Sequence, residues 1–284
     1  MIVFKKASNL MEHLMEQKIK GKRIGFVPTM GALHQGHLSL IRQSKLTSNI
    51  TVVSIFVNPT QFNDASDFER YPVTIAEDIF LLEGTDCDIL FLPAVSEIYI
   101  AGVSKSSKYI VGEIENVLEG AYRPGHFQGV CQVVDRLLTI THPDSLILGE
   151  KDYQQQIILK NLVHMLHPGV EVLTGATVRE PSGLARSSRN MRLDHEQKKQ
   201  ATAIFKSMQY IKSNFHAGGF ANLEANATQY LLQQGFTQVD YVTIADANTL
   251  QKAHRWNGLH HLVVLVAATI GNIRLIDNLV LTKV

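Results

Sequence analysis

At 284 residues, with 45% hydrophobic and 19% charged side chains, the chain has enough apolar material for a sizeable core and more length than one average domain uses. A formal net charge of +1 excludes bulk electrostatic attraction to nucleic acid or anionic lipid, so any bound anion must be held by local geometry. The only cysteines, Cys87 and Cys131, sit in apolar patterned runs and read as buried reduced thiols, which points to the reducing cytoplasm.

The first stretch, MIVFKKASNLMEHLMEQKI, begins apolar and turns charged and amphipathic, without the uninterrupted apolar region or cleavage site of a secretory signal. Four short continuous apolar runs follow: RIGFVPTM, ITVVSIFV, DILFLP and DSLILGE. Runs of this kind suit parallel strands covered on both faces. Helical patterns separate them. GHLSLIRQSKLTS places Leu38, Ile41 and the stem of Lys45 on one stripe, and TIAEDIFLLEG closes on Gly84 as a C-cap. HFQGVCQVVDRLLTI sets Val130, Val133, Val134, Leu137 and Leu138 at helical spacing. The alternation predicts an α/β fold with an open, doubly wound parallel sheet, whose ligands sit at the carboxyl ends of the strands.

The texture changes near Ala176, and REPSGLARSSRN (residues 179–190) reads as a polar loop or linker. A long helix is predicted over about residues 194–215, with Ala201, Ile204, Phe205, Met208 and Ile211 on one stripe. A second helix near ANLEANATQYLLQQG and strands at VDYVTIAD, HLVVLVAATIG and IRLIDNLVL complete the chain. HLVVLVAATIG is far too short to span a bilayer, so no membrane role is expected. The expected domains are residues 1–175 and 176–284.

Four segments at strand ends carry chemistry. In PTMGALHQGHLSLI, Gly31 and Gly36 let the backbone approach a ligand, and Gly36 and His37 open a helix whose N–H groups attract an anion. His34 and His37, one turn apart, can face the same phosphate; alternatively one caps the helix and the other is a solvated loop residue. His37 and Leu38 stand where a P-loop requires Lys and Ser or Thr, and no third ligand for zinc lies nearby. In FVNPTQFN, the neutral amides of Asn58, Gln61 and Asn63 suit a small polar organic substrate, or simply form an Asn–Pro turn.

In LGEKDYQQQ, Lys151 at a strand end is suited to polarising a phosphoryl oxygen. Gln155 falls in the first helical turn, facing the crevice, and Asp152 can serve as a cap. In GLARSSRN, two hydroxyls and Arg189 make an oxyanion clamp, or a solvated basic linker. HMLH (His164 and His167), followed by Pro168 and Gly169, reads as a helix C-terminus.

In order and spacing, PTMGALHQGHLSLI, FVNPTQF, RPGHFQGVCQVVDRL, LGEKDYQQ and SSRN closely resemble the pantoate–β-alanine ligase family of the nucleotidyltransferase superfamily, along nearly the whole chain. The resemblance implies a Rossmann-like N-terminal domain, a smaller α+β C-terminal domain acting as a lid, and a homodimer. It implies ATP-dependent condensation of pantoate with β-alanine through pantoyl adenylate, with release of AMP and pyrophosphate. ATP would meet Met30, Gly31, Ala32, Leu33, His34, Gln35, Gly36 and His37, with His37 as proton donor and His34 and Lys151 as catalytic partners. Gly149, Glu150, Lys151 and Asp152 would contact ATP, Val178 its adenine region, and Arg186, Ser187, Ser188 and Arg189 its phosphates. Gln61 and Gln155, with Asn58, would hold pantoate, and Gln61 would also lie near β-alanine. Mg²⁺ is expected on the ATP phosphates, with Asp78 as a candidate ligand. Arg186 stands where members usually carry Met or Leu, Val73 replaces a usual Arg, and EIYI lacks a usual Pro. Trp256 is the only tryptophan and no Lys/Arg-dense tract exists, so a nucleic-acid partner is not expected.

Overall fold

A strand buried on both faces must be apolar at consecutive positions, and the central runs divide their side chains accordingly. Phe26, Val52, Ile89 and Leu146 enter one core, while their neighbours Val27, Val53, Leu90 and Ile147 enter another. The computed structural model describes residues 1–63, 65–100, 102, 108–217, 219–259 and 261–282. In chain order, the first part contains β1 (Ile2–Phe4), α1 (Ala7–Ile19), β2 (Ile24–Thr29), α2 (Gln35–Thr47), β3 (Ile50–Ile55), α3 (Ala65–Glu69) and α4 (Ile75–Glu83). It continues with β4 (Ile89–Phe91), α5 (Val95–Ile98), α6 (Glu119–Tyr122), α7 (His126–Thr141), β5 (Ser145–Gly149), α8 (Tyr153–Leu166) and β6 (Glu171–Gly175).

The six strands form one parallel sheet in the order β1-β4-β3-β2-β5-β6. Helix α7 covers one face with Val130, Val133, Val134, Leu137 and Leu138, and α2 covers the other with Leu38, Leu40 and Ile41. This is the expected doubly wound α/β architecture. The edge strands β1 and β6 are additions to it. Neither has a continuous buried run, because an edge is covered on fewer sides. Gly84 does cap α4, but at φ −87°, so the turn does not use left-handed geometry. Helix α7 closes on a left-handed residue, His142 at φ 39°.

Backbone proximity groups residues 1–150 with 155–176, and residues 151–154 with 177–284. The second group holds α9 (His195–Asn214), α10 (Phe220–Gln233) and an antiparallel sheet ordered β7 (Gln238–Asp246), β8 (Leu262–Ile270), β9 (Ile273–Val280). Helix α9 starts on a reciprocal cap: Asp194 Oδ1 accepts from the Gln197 N–H at 2.8 Å, and Gln197 Oε1 accepts from the Asp194 N–H at 3.1 Å. Ala201, Ile204, Met208 and Ile211 enter the core of this unit with Phe220, Leu231, Ile244, Val264 and Val266, while Phe205 is only partly buried. Among the described residues, no helix is long and apolar enough to cross a membrane.

Candidate active site

From β2 the chain winds outward through β3 and β4 on one side, and through β5 and β6 on the other. The strand order therefore reverses between β2 and β5, the place where open α/β sheets bind ligands beyond their carboxyl ends. The segment following β2 is MGALHQGH.

Its backbone is held by side chains at nearly every step. Thr29 Oγ1 donates to the Ser54 carbonyl at 2.7 Å and accepts from the Gly31 N–H at 3.2 Å. Asp78, on α4, accepts from the Ala32 N–H at 2.9 Å and from the Leu33 N–H at 2.7 Å. Gly31 (φ 82°) and Ala32 (φ 48°) both lie in the left-handed region, which an alanine adopts only when its surroundings impose it. The carboxylate of Asp78, 1% exposed, faces these amides with one oxygen on each. Asp78 thereby shapes the loop that follows β2.

The two histidines cap one another's backbone. His34 Nδ1 accepts from the Gly36 N–H at 3.1 Å, and His37 Nδ1 accepts from the His34 N–H at 3.3 Å. The rings stack with centroids 4.1 Å apart. An amide N–H can only donate, so both Nδ1 atoms are acceptors, and each neutral ring carries its proton on Nε2. The sequence offered one capping and one solvated histidine as the alternative to a ligand pair; in the structure both cap. The Gly36 N–H, expected to be free for an anion, is spent on His34.

At the end of β3 a second network fixes Gln61. Burial raises the Tyr99 phenol above its ordinary value, keeping its proton for donation to Asn58 Oδ1 at 2.7 Å. Thr60 donates to the same oxygen from Oγ1 (3.0 Å) and from its backbone (3.3 Å). With its oxygen so occupied, Asn58 turns Nδ2 toward Gln61 Oε1 and the Gly129 carbonyl, both at 3.1 Å. Gln61 Nε2 then lies 3.1 Å from Met30 Sδ. Asn58, expected to touch the substrate, is 1% exposed and orients Gln61.

From α7, His126 adds a brace. The guanidinium of Arg123 donates to His126 Nε2 at 3.2 Å, so His126 Nδ1–H donates to the Gln61 carbonyl at 2.8 Å. The motif RPGHFQG contains this His and Gly129, and sequence reasoning assigned neither a role.

After β5, the Glu150 N–H donates to the Gly175 carbonyl at 2.8 Å, which ties the Gly149–Glu150 turn to β6. In α8, Gln156 is buried and donates to Thr174 Oγ1 at 2.6 Å, while Gln155 is half-buried. Asp152 Oδ1 stands 3.6 Å from the Lys151 ammonium, and Lys151 is 19% exposed.

The segment around 179–190 is not a solvated linker. Arg179 bridges to Ala185, the Arg186 N–H donates to the Val178 carbonyl at 2.9 Å, and Arg186 pairs with Glu180 at 3.4 Å. Ser187 Oγ accepts from the Arg189 N–H at 3.3 Å and opens a turn of 3-10 helix, Ser188–Arg192, in which Ser188 is buried. Both cysteines are free and buried, as expected, and burial pushes the Cys87 and Cys131 thiols up to about 12.

The family profile described as Pantoate-beta-alanine ligase matches residues 2–280. The chain belongs to the pantoate–β-alanine ligase family. It is 42% identical over 280 residues to the pantothenate synthetase of Azobacteroides pseudotrichonymphae, covering 98% of this chain and 99% of that one. It is 41% identical to the pantothenate synthetase of Aquifex aeolicus, with 98% of each covered. Among solved structures, the pantothenate synthetase of Thermus thermophilus superposes with a TM-score of 0.91 at 35% identity, covering 100% of both chains. The pantoate–β-alanine ligase of Francisella tularensis, solved in complex with β,γ-ATP and β-alanine, gives 0.84 at 37% identity, covering 100% of this chain and 99% of its own. The Rossmann-like sheet and small antiparallel sheet are thus the fold of this ligase family.

Proposed function

We propose that the chain performs the reaction of its family, the ATP-dependent condensation of pantoate with β-alanine, with the following division of labour. A pantoate carboxylate oxygen attacks the α-phosphorus of ATP and displaces pyrophosphate, forming pantoyl adenylate. The amine of β-alanine then attacks the acyl carbon and loses a proton, and AMP leaves with its new oxygen as pantothenate is released. No enzyme nucleophile is required.

The first step brings an anion onto a polyanion, so charge compensation and alignment dominate its barrier. His34 and His37 supply the two Nε2–H donors to phosphate oxygens, with His37 as the proton donor, and Lys151 and Arg189 supply positive charge to the same triphosphate. Met30, Gly31, Ala32, Leu33, Gln35, Gly36, Gly149, Glu150, Asp152, Val178, Arg186, Ser187 and Ser188 complete the nucleotide contacts. Gln61 and Gln155 hold pantoate through their amides. Residues 1–175 bind ATP and pantoate, and residues 176–284 serve as a lid. Mg²⁺ enters on the phosphates as part of the substrate. The enzyme works as a homodimer in the cytoplasm.

The observation that carries this reading is the stacked His34–His37 pair following β2, where the strand order reverses, in a chain matched to the ligase family over residues 2–280. Pyrophosphate release from MgATP tests it. The expected result is release that requires pantoate and begins before β-alanine is added. Release indifferent to pantoate would overturn it.

A further inference from the structure

Strand β9 reads IRLIDNLV, and its burial alternates until Asp277 and Asn278, which are buried side by side. A strand that breaks its alternation with two polar residues needs partners on both faces, because a buried polar group without one is costly. Asp277, 5% exposed, accepts both arms of the Arg179 guanidinium, with Nη2 to Oδ1 at 3.0 Å. Arg179 also donates to the carbonyls of Gly183 and Asn278, each at 3.2 Å, and lies 4.1 Å over the Phe205 ring. Its own backbone closes the turn that leads through Ala185 into Ser187 and Arg189.

Asn278, 4% exposed, donates from Nδ2 to the carbonyl of Lys151 at 2.8 Å. Its N–H donates to Asp277 Oδ1 at 2.8 Å, so the two side chains form one unit. A second tether holds the same short segment: Tyr153 Oη donates to the Ala247 carbonyl at 3.0 Å.

We propose that Asp277 and Asn278 are positioning residues for adenylate formation, setting the backbone of Lys151 and the turn bearing Arg189 in one frame. A buried ion pair adds little net stability, but its forked, directional bonds fix geometry, and here they fix two segments more than twenty residues apart in sequence. The proposal rests on the reading that Lys151 and Arg189 act on the triphosphate.

The test compares Asn278→Leu, Asp277→Asn and Arg179→Lys with Lys151→Ala and the unaltered enzyme. Two half-reactions are measured: pantoate-dependent pyrophosphate release, and aminolysis of chemically prepared pantoyl adenylate by β-alanine. Arg179→Lys keeps the charge and loses the guanidinium's forked, multiple bonds, so it serves should Asp277→Asn fail to fold. The expected result is a loss of about tenfold in pyrophosphate release in the folded variants, with aminolysis within about twofold. Unchanged pyrophosphate release in folded variants, or an equal fall in both half-reactions, overturns the positioning role. If Lys151→Ala itself keeps full pyrophosphate release, the assignment of Lys151 fails first and takes this proposal with it.

Discussion

Replacing Gly129 with Ala is the sharpest test of how Gln61 is placed. Helix α7 approaches the turn Pro59–Gln61 so closely that a Cβ at position 129 would lie 2.3 Å from the Thr60 carbonyl oxygen, 2.6 Å from its carbon and 2.9 Å from the Gln61 nitrogen. All three obstacles are backbone, so no side chain can swing aside. Ordinary contact begins at 3.4 Å, and helix and turn must part by about 1 Å to reach it. That movement stretches the bonds by which the Gly129 carbonyl holds Asn58 (3.1 Å) and Thr60 (3.3 Å), and with them the orientation of Gln61. Overpacking of this kind costs about 1–3 kcal/mol of stability, and a displacement of about 1 Å in a substrate-holding group costs about 10²-fold in rate. Urea denaturation and pyrophosphate release at varied pantoate measure both. Gly84→Ala is the control, since its nearest neighbour would be the Leu81 carbonyl at an ordinary 3.6 Å. A folded Gly129→Ala enzyme with kcat/KM for pantoate within about threefold of normal would refute the reasoning.

Three further outcomes are expected. His37→Ala or Lys151→Ala removes one preorganised donor and slows adenylate formation by about 10²- to 10³-fold with circular dichroism unchanged; near-normal turnover contradicts the assignment. Asp78→Asn turns an amide N–H toward one of the two loop N–H groups that the carboxylate now accepts, and lowers stability by about 2–4 kcal/mol, read as a lower urea midpoint. The buried thiols, raised from 9.0 to about 12, stay protonated at about pH 8, and Cys87 and Cys131 resist a disulfide reagent until the chain is unfolded. Because the unfolded chain ionises these thiols at lower pH than the folded one, their contribution to stability is full below pH 9.0 and is lost between there and about 12.

The central strands were legible because burial on both faces leaves a continuous apolar run, as in Phe26–Val27 and Val52–Val53. The edge strands were not, since Ile2–Phe4 and Glu171–Gly175 gain strand character from the neighbour they pair with rather than from their own pattern. The long helices α7 and α9 announced themselves by the 3.6-residue stripe, and the small antiparallel sheet by three apolar runs.

At the site, residue type indicated chemistry better than it indicated role. An asparagine before proline reads the same whether it faces a substrate or braces a neighbour, and the bond from Asn58 to Gln61 was not legible. The bond from the Ala32 N–H to Asp78, between positions 46 residues apart, was equally illegible, because no local pattern marks a contact that distant. The histidine spacing pointed to a helix start, but the reciprocal caps that set both rings to the same tautomer required coordinates. Asp277 and Asn278 carried a visible signal, two polar residues inside an apolar strand, whose meaning depended on partners at 151 and 179.

In the proposed reaction the carboxylate of pantoate, and not water or the enzyme, strikes the α-phosphorus of ATP. Pantoate labelled with ¹⁸O in its carboxylate, turned over with MgATP and β-alanine, tests this directly. One labelled oxygen is expected in the phosphate of AMP and none in pyrophosphate. AMP free of label, or label in pyrophosphate, would contradict it.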